Sequence, residues 1–243
     1  MKTALFVPCI VEQFHPEVAE ATAMVLAKAG ASLAYPKGQT CCGQLQYKSG
    51  NWKSARAVAR HFIEVFEPFE SVVAPSGSCV SMVRKYYPEL FREEALWRDR
   101  AEDLAKRIFE LTEFLVHVAR VNDLGATWPA KAVYHDSCQV YRALGIHKEP
   151  RQLLSKVRGL ELVEMDQADV CCGFGGSFSL QFPAVSEAMV AEKVSHILAT
   201  GAELVISAEI SCLMNIGGYL RKQGHPVKAL HIAQVLAQGG ETR

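Results

Sequence analysis

Short apolar runs alternate along this chain with longer stretches whose apolar residues recur every three or four positions, the pattern of strands followed by amphipathic helices. Residues 4–7, 72–75, 132–135 and 204–207 read as short strands, the first and last as near-continuous apolar runs. Helical spacing covers 17–29, ends at Gly30 and precedes a strand at 32–35. It returns over 53–66 before Pro68, over 184–200 up to Gly201, and from Cys212 to about residue 222. A charged stretch at 86–107 leads into a helical run predicted over 102–121. The chain then turns at Asn122-Asp123-Leu124-Gly125, which sets a domain boundary at 122–130, around Trp128-Pro129. A last strand at 227–230 and a helix at 231–238 follow.

Strands alternating with helices imply right-handed crossovers and a mostly parallel sheet, with ligand sites at the carboxyl ends of the strands. The layout also repeats. Cys9 is followed after 31 residues by Cys41-Cys42-Gly43, with Cys79 another 36 residues beyond Cys42. Cys138 is followed after 32 residues by Cys171-Cys172-Gly173, with Cys212 another 39 residues beyond Cys172. Flanking strings repeat too: Ala4-Leu5-Phe6-Val7 parallels Ala132-Val133-Tyr134-His135, and Val72-Val73-Ala74-Pro75 parallels Leu204-Val205-Ile206-Ser207. The predicted class is therefore α/β, as two similar Rossmann-like lobes with mostly parallel sheets, related by internal duplication. The first half spans 1–125 and the second 126–243.

At 243 residues and 49% hydrophobic, the chain can bury a substantial core. Lys plus Arg and Asp plus Glu number 26 each, so no net charge draws it to nucleic acid or to an anionic membrane. The apolar start is broken by Pro8, followed by Glu12, and lacks a basic leader or small-residue cleavage site, so it reads as a buried strand. No stretch nears the roughly 18 apolar residues of a spanning helix. A soluble, cytoplasmic protein is expected, without direct membrane insertion.

The eight cysteines are too sparse for a disulfide-held secreted scaffold, and a disulfide between neighbours strains the peptide joining them. Metal binding is the favoured reading. Each half gathers four thiols from three loops: Cys9, Cys41, Cys42 and Cys79, then Cys138, Cys171, Cys172 and Cys212. Such a soft set suits an iron-sulfur cluster or zinc. Ferredoxins and zinc ribbons use closely spaced cysteines, so here the fold must assemble the site. Glycine after each pair lets backbone amides approach a cluster's sulfurs, although Gly173-Phe174-Gly175-Gly176-Ser177 fits a phosphate or carboxylate cradle as well.

This cysteine layout resembles the CCG signature found in heterodisulfide reductase and in the iron-sulfur subunits of glycolate oxidase and anaerobic glycerol-3-phosphate dehydrogenase. Four strings are similar to the lactate utilization protein A family: Thr40-Cys41-Cys42-Gly43-Gln44, Pro75-Ser76-Gly77-Ser78-Cys79, Cys171 through Ser179, and Cys212-Leu213-Met214-Asn215-Ile216-Gly217-Gly218. The resemblance implies a cytoplasmic oxidoreductase component carrying iron-sulfur centres, 4Fe-4S among the types it suggests. It also implies that other lactate-utilization proteins, including an iron-sulfur partner, act with it in oxidising L-lactate, a small 2-hydroxy acid, to pyruvate. One departure stands out: the fuller pattern ends in Cys-X-X-Cys, and Ser76 and Glu209 occupy the place of its first cysteine. Four thiolates per half still suffice for one cubane cluster or a zinc ion, and Glu209 can add an oxygen ligand. The rival readings are a structural zinc protein and thiol-disulfide chemistry by the adjacent pairs. No flavin or nicotinamide fingerprint is evident, so hydride abstraction by this chain alone would lack an acceptor.

Several further residues have two readings each. His135, three before Cys138, is a ligand or sulfur donor, or else a strand-end histidine bonded to backbone or a carboxylate. His15 and His231 are proton relays or ordinary surface and packing residues. Gln44, Asn215 and Arg142 hold a small polar substrate or the centre's surroundings, or else make cap and turn contacts. Trp52 and Phe174 gate solvent or fill the core. The stretch 86–107 is a solvated face or a docking surface.

Overall fold

The computed structural model describes residues 2–239; Met1 and 240–243, at the outer ends of the two predicted halves, lie outside them. The chain divides into two compact units, Met1–Arg120 and Val121–Arg243. Each holds one four-stranded sheet, and each sheet is parallel throughout. In the first unit β1 (Lys2–Leu5), β2 (Ser32–Ala34), β3 (Ser71–Ala74) and β4 (Ile108–Glu110) lie in the order β2-β1-β3-β4. In the second, β5 (Thr127–Tyr134), β6 (Arg158–Val163), β7 (Leu204–Ser207) and β8 (Lys228–His231) lie in the order β6-β5-β7-β8. The two orders are the same once corresponding strands are matched. The central strands β3 and β7 are buried at every residue, which is why their sequences are unbroken rather than alternating runs.

The helix after each cysteine pair repeats as closely. Trp52–Phe66 starts where Asn51 accepts the Ser54 N–H at 3.2 Å, and it buries Ala55, Ala59, Phe62, Ile63 and Phe66. Pro183–Ala199 starts on Pro183, whose missing N–H is no loss in a first turn, and it buries Ser186, Val190, Lys193, Val194 and Ile197. The intervals are identical, so position 55 matches 186 and position 62 matches 193. Burial of each large apolar side chain in this stripe stabilises by about 1.5–3 kcal/mol.

Three sequence expectations change. First, the run predicted as one helix over 102–121 is a helix (Ala95–Ala105), then strand β4, a short helix (Leu111–Glu113) and a π-type turn (Phe114–Val118). Leu104, Ile108, Leu111 and Leu115 sit at helical spacing and are all buried, but by successive elements; a three-residue strand is too short to display its own period. Second, Trp128 and Pro129 lie inside β5 rather than in a linker. They fall where the β5–β6 register slips by one residue and before β5 begins pairing with β7 at Ala132, so the proline interrupts no ladder. Third, the duplication is registered one residue later. The Phe6 N–H donates to Val73 O and the His135 N–H to Ile206 O, so Ala4 matches Val133 and Phe6 matches His135.

Candidate metal centres

In the first unit every cysteine lies just past the carboxyl end of a strand. The chain leaves β1 through Phe6-Val7-Pro8 and opens the helix Cys9–Phe14 on Cys9. Cys41 and Cys42 occupy the loop after β2, and Cys79 sits in the helix Gly77–Ser81 after β3. The sulfurs converge, with Cys9 Sγ 3.7 Å from Cys41 Sγ and Cys42 Sγ 3.3 Å from Cys79 Sγ. Gly43, at φ 77°, turns its N–H onto Cys41 Sγ at 3.4 Å. A side chain at that φ is strained, which explains glycine there. The Tyr87 hydroxyl, buried in the core, donates to Cys42 O at 2.8 Å, and Gln44 Nε2 donates to Ser78 O at 2.8 Å. Ser76, in place of a family cysteine, is a helix cap accepting the Cys79 N–H at 3.4 Å.

The second unit rebuilds this plan with different supports. The Gly173 N–H (φ 84°) reaches Cys171 Sγ at 3.4 Å, and Asn215 Nδ2 donates to Cys172 O at 2.8 Å, the task that Tyr87 performs in the first unit. Cys212 sits in the first turn of the helix Ile210–Lys222. Glu209, also in place of a family cysteine, is buried and accepts the Ser211 hydroxyl at 3.0 Å. His135 joins this group: its donor atom and the sulfurs of Cys172 and Cys212 all lie within 4.8 Å of one another. Asp136, next in sequence, is clamped by Arg151 and also reached by His147 Nδ1 at 3.2 Å.

All eight cysteines are thiols rather than disulfides, and in both units the same two are buried, Cys42 and Cys79, Cys172 and Cys212, while the others are part-exposed. Their protons are shared unevenly. Cys41 is held far below the usual thiol range because the Cys42 and Cys9 thiols donate to its sulfur, helped by the Gly43 N–H. Cys9 and Cys42 are pushed up, chiefly by donating to Cys41. Cys171 is lowered likewise by Cys138 and Cys172, and Cys172 is raised. Cys212 is pulled down to about 5, first by Cys172 and then, against its burial, by His135 and Ser137. Clustered thiols that share anionic charge in this way, with backbone amides aimed at their sulfurs, suit a metal ion or cluster.

The other residues singled out from sequence resolve as follows. His231 is a buried helix cap: its Nδ1 accepts the Ala233 N–H at 3.1 Å in a capping box with Gln234. His15 pairs with Glu17 at 3.0 Å at the surface, Arg142 donates to Asp169 O at 3.1 Å, and Trp52 is exposed. Within the 86–107 stretch, Arg98, Arg100 and Arg107 pair with Asp99, Glu67 and Asp103. Sequence reading missed Tyr87, Lys193 and the Asp136–Arg151 pair. The shared spacing of the two long helices exposes Lys193 as the odd member of an apolar stripe; nothing in the sequence ties Tyr87, 45 residues away, to Cys42.

Two lobes, each a parallel sheet with cysteine loops at its strand ends, define a class of duplicated cysteine-rich proteins. The chain belongs to the CCG cysteine-rich domain family, which matches residues 3–84 and 132–217. Within it, this is a member of the lactate utilization protein A group: it is 50% identical over 238 residues to Lactate utilization protein A of an Exiguobacterium species, covering 97% of each chain. It is 46% identical over 239 residues to Lactate utilization protein A 2 of Bacillus cereus, covering 98% of this chain and 99% of the relative. A hypothetical protein of Helicobacter pylori shares the fold, with a TM-score of 0.69 at 10% identity over 99% of this chain; the chain spans 49% of that protein. Among the described residues no helix is long and apolar enough to cross a membrane.

Proposed function

We propose that this chain is the iron-sulfur electron-transfer component of a multi-protein cytoplasmic system that oxidises L-lactate to pyruvate. The observation that carries the reading is the pair of four-thiol clusters, in a chain about half identical to a protein named for lactate utilization. Cys9, Cys41, Cys42 and Cys79 would hold one centre, and Cys138, Cys171, Cys172 and Cys212 the other. When bound, such a centre supplies reversible one-electron transfer. The residues do the rest. Buried Cys42, Cys79, Cys172 and Cys212 keep water from one side, and the Gly43 and Gly173 amides stabilise negative charge on sulfur. Part-exposed Cys9, Cys41, Cys138 and Cys171 leave an edge that an iron-sulfur partner can approach.

One specific observation favours a second reading, a zinc ion in the first lobe. Zinc–sulfur bonds of about 2.3 Å in a tetrahedron set sulfurs about 3.8 Å apart; Cys9 and Cys41 are separated by 3.7 Å, while Cys42 and Cys79 lie closer, at 3.3 Å. Anaerobic iron, zinc and acid-labile sulfide analysis with electron paramagnetic resonance, on wild type and the C41S/C42S and C171S/C172S variants, separates the two. Iron with matching sulfide, lost by half in each variant, is the expected result; zinc without sulfide overturns the iron-sulfur reading.

A further inference from the structure

The matched registers of the two lobes reveal where the duplicated halves have parted. In the first lobe Phe6 and Phe62 are fully buried and meet edge to face, with centroids 4.8 Å apart, behind the cysteine loops. The matching residues of the second lobe are His135 and Lys193, 0% and 1% exposed. An aromatic contact in one core is thus replaced by two ionisable side chains in the other. Burying such groups costs free energy unless something occupies their polar atoms.

Lys193 has an evident partner, since its Nζ donates to Gln167 O; burial lowers its pKa, and Asp169, Cys172, Cys212 and Asp136 nearby offset part of that. Among the described residues His135 has no such oxygen. Both of its ring nitrogens are buried, and no oxygen or nitrogen of the described residues is in hydrogen-bonding reach of either; what faces the ring is the sulfur pair Cys172 and Cys212. A neutral imidazole offers one lone pair and one N–H. Among thiolates, both can be used at once, the lone pair by a metal and the N–H by a sulfur.

We propose that His135 is a nitrogen ligand of the second lobe's metal centre, bound beside Cys172 and Cys212 in place of one of the part-exposed thiols Cys138 and Cys171, so that the two lobes carry centres of different ligand type, all-sulfur in the first and mixed nitrogen and sulfur in the second. Ligation uses the neutral ring and releases no proton from it. The inference rests on the reading above that the thiol clusters bind metal, and it holds for iron or zinc alike.

The test uses the full chain as the C41S/C42S variant, which retains every thiol of the second lobe, purified and metal-loaded without oxygen. X-ray absorption at the edge of the bound metal should give a nitrogen scatterer with the imidazole signature. Adding H135F, which installs the residue found at Phe6, should leave sulfur scatterers only and weaken metal retention at least tenfold. Should H135F fail to fold, C41S/C42S protein carrying ¹⁵N-histidine provides a measurement independent of that variant: direct coupling of ¹⁵N to the paramagnetic centre, iron or else cobalt(II) substituted for zinc, by pulsed electron paramagnetic resonance. Metal bound with sulfur scatterers alone, or a nitrogen signal that survives H135F, overturns the ligand assignment and leaves the electron-transfer reading standing. Protein that takes up neither iron, sulfide nor zinc overturns both.

Discussion

Arg151 grips both carboxylate oxygens of Asp136, Nη1 to Oδ1 at 2.9 Å and Nη2 to Oδ2 at 2.7 Å, in the same loop that leads into Cys138. The carboxylate is 2% exposed, so it is the guanidinium that makes its charge tolerable. R151M should therefore destabilise the protein by up to about 3–5 kcal/mol, the cost of a buried charge that loses its partner, less what the remaining His147 contact retains. The double variant D136L/R151M should recover most of that loss, because two apolar side chains strand no charge. Urea unfolding of the four proteins in the cycle measures it; a fully additive double variant would refute the coupling.

Glu110 sets a pH dependence. It ends β4 and caps the helix Leu111–Glu113, accepting the N–H groups of Thr112 and Glu113 at 2.8 and 3.3 Å, yet it is completely buried. Burial raises its carboxyl to about 7 despite those donors. The folded state therefore holds a proton that the unfolded state releases near 4.5, and stability falls as pH rises from about 4.5 through 7. The shift corresponds to about 3 kcal/mol at most. E110Q keeps an acceptor oxygen without the charge, so it should lose less stability than wild type between pH 5 and pH 8 in thermal melts. Parallel pH profiles would contradict the assignment.

The carbonyl of the second cysteine in each pair is anchored, by Tyr87 in one lobe and Asn215 in the other, both at 2.8 Å. Y87F should loosen only the first centre and N215A only the second, each lowering metal affinity about 10–100-fold through the supports of the ligands. Chelator competition, read separately for each centre in the cysteine-pair variants, distinguishes them. Equal loss at both centres from either substitution would count against this division.

Gly43 and Gly173 share a left-handed backbone but not the same surroundings. A Cβ at Gly173 would lie 2.8 Å from Ser186 O, whereas one at Gly43 would meet Val58 Cγ1, a side-chain carbon, at 3.3 Å. Both alanine variants incur about 1–2 kcal/mol of conformational strain, and G173A adds a clash with the Ser186 carbonyl. G173A should therefore unfold at lower temperature than G43A and lose its centre first on heating. The reverse order in calorimetry would be inconsistent with this packing.

Much of this was legible beforehand. The parallel α/β lobes followed from alternating periods, and the duplication from cysteine spacing, because both are local and repeat. β4 escaped because Leu104, Ile108, Leu111 and Leu115 imitate a helix while belonging to consecutive elements. The one-residue offset escaped because Ala-Leu-Phe-Val and Ala-Val-Tyr-His align well by eye, although Phe6 and His135 each stand three residues before their cysteine, the register that their hydrogen bonds also give. Histidine at 135 was visible, and so was its place three residues before a cysteine, where the first half has Phe6; that Phe6 is buried there against Phe62 required the fold. Tyr87 was hidden by distance along the chain.

The identical burial spacing of Trp52–Phe66 and Pro183–Ala199 gives the molecule a built-in reference. A side chain of one helix's buried stripe can be transplanted to its counterpart in the other, and the unaltered lobe in the same tube serves as the reference. Exchanging Phe62 with Lys193 moves a cation from one cysteine cluster to the other without changing the composition of the chain, so any resulting difference between the clusters belongs to position.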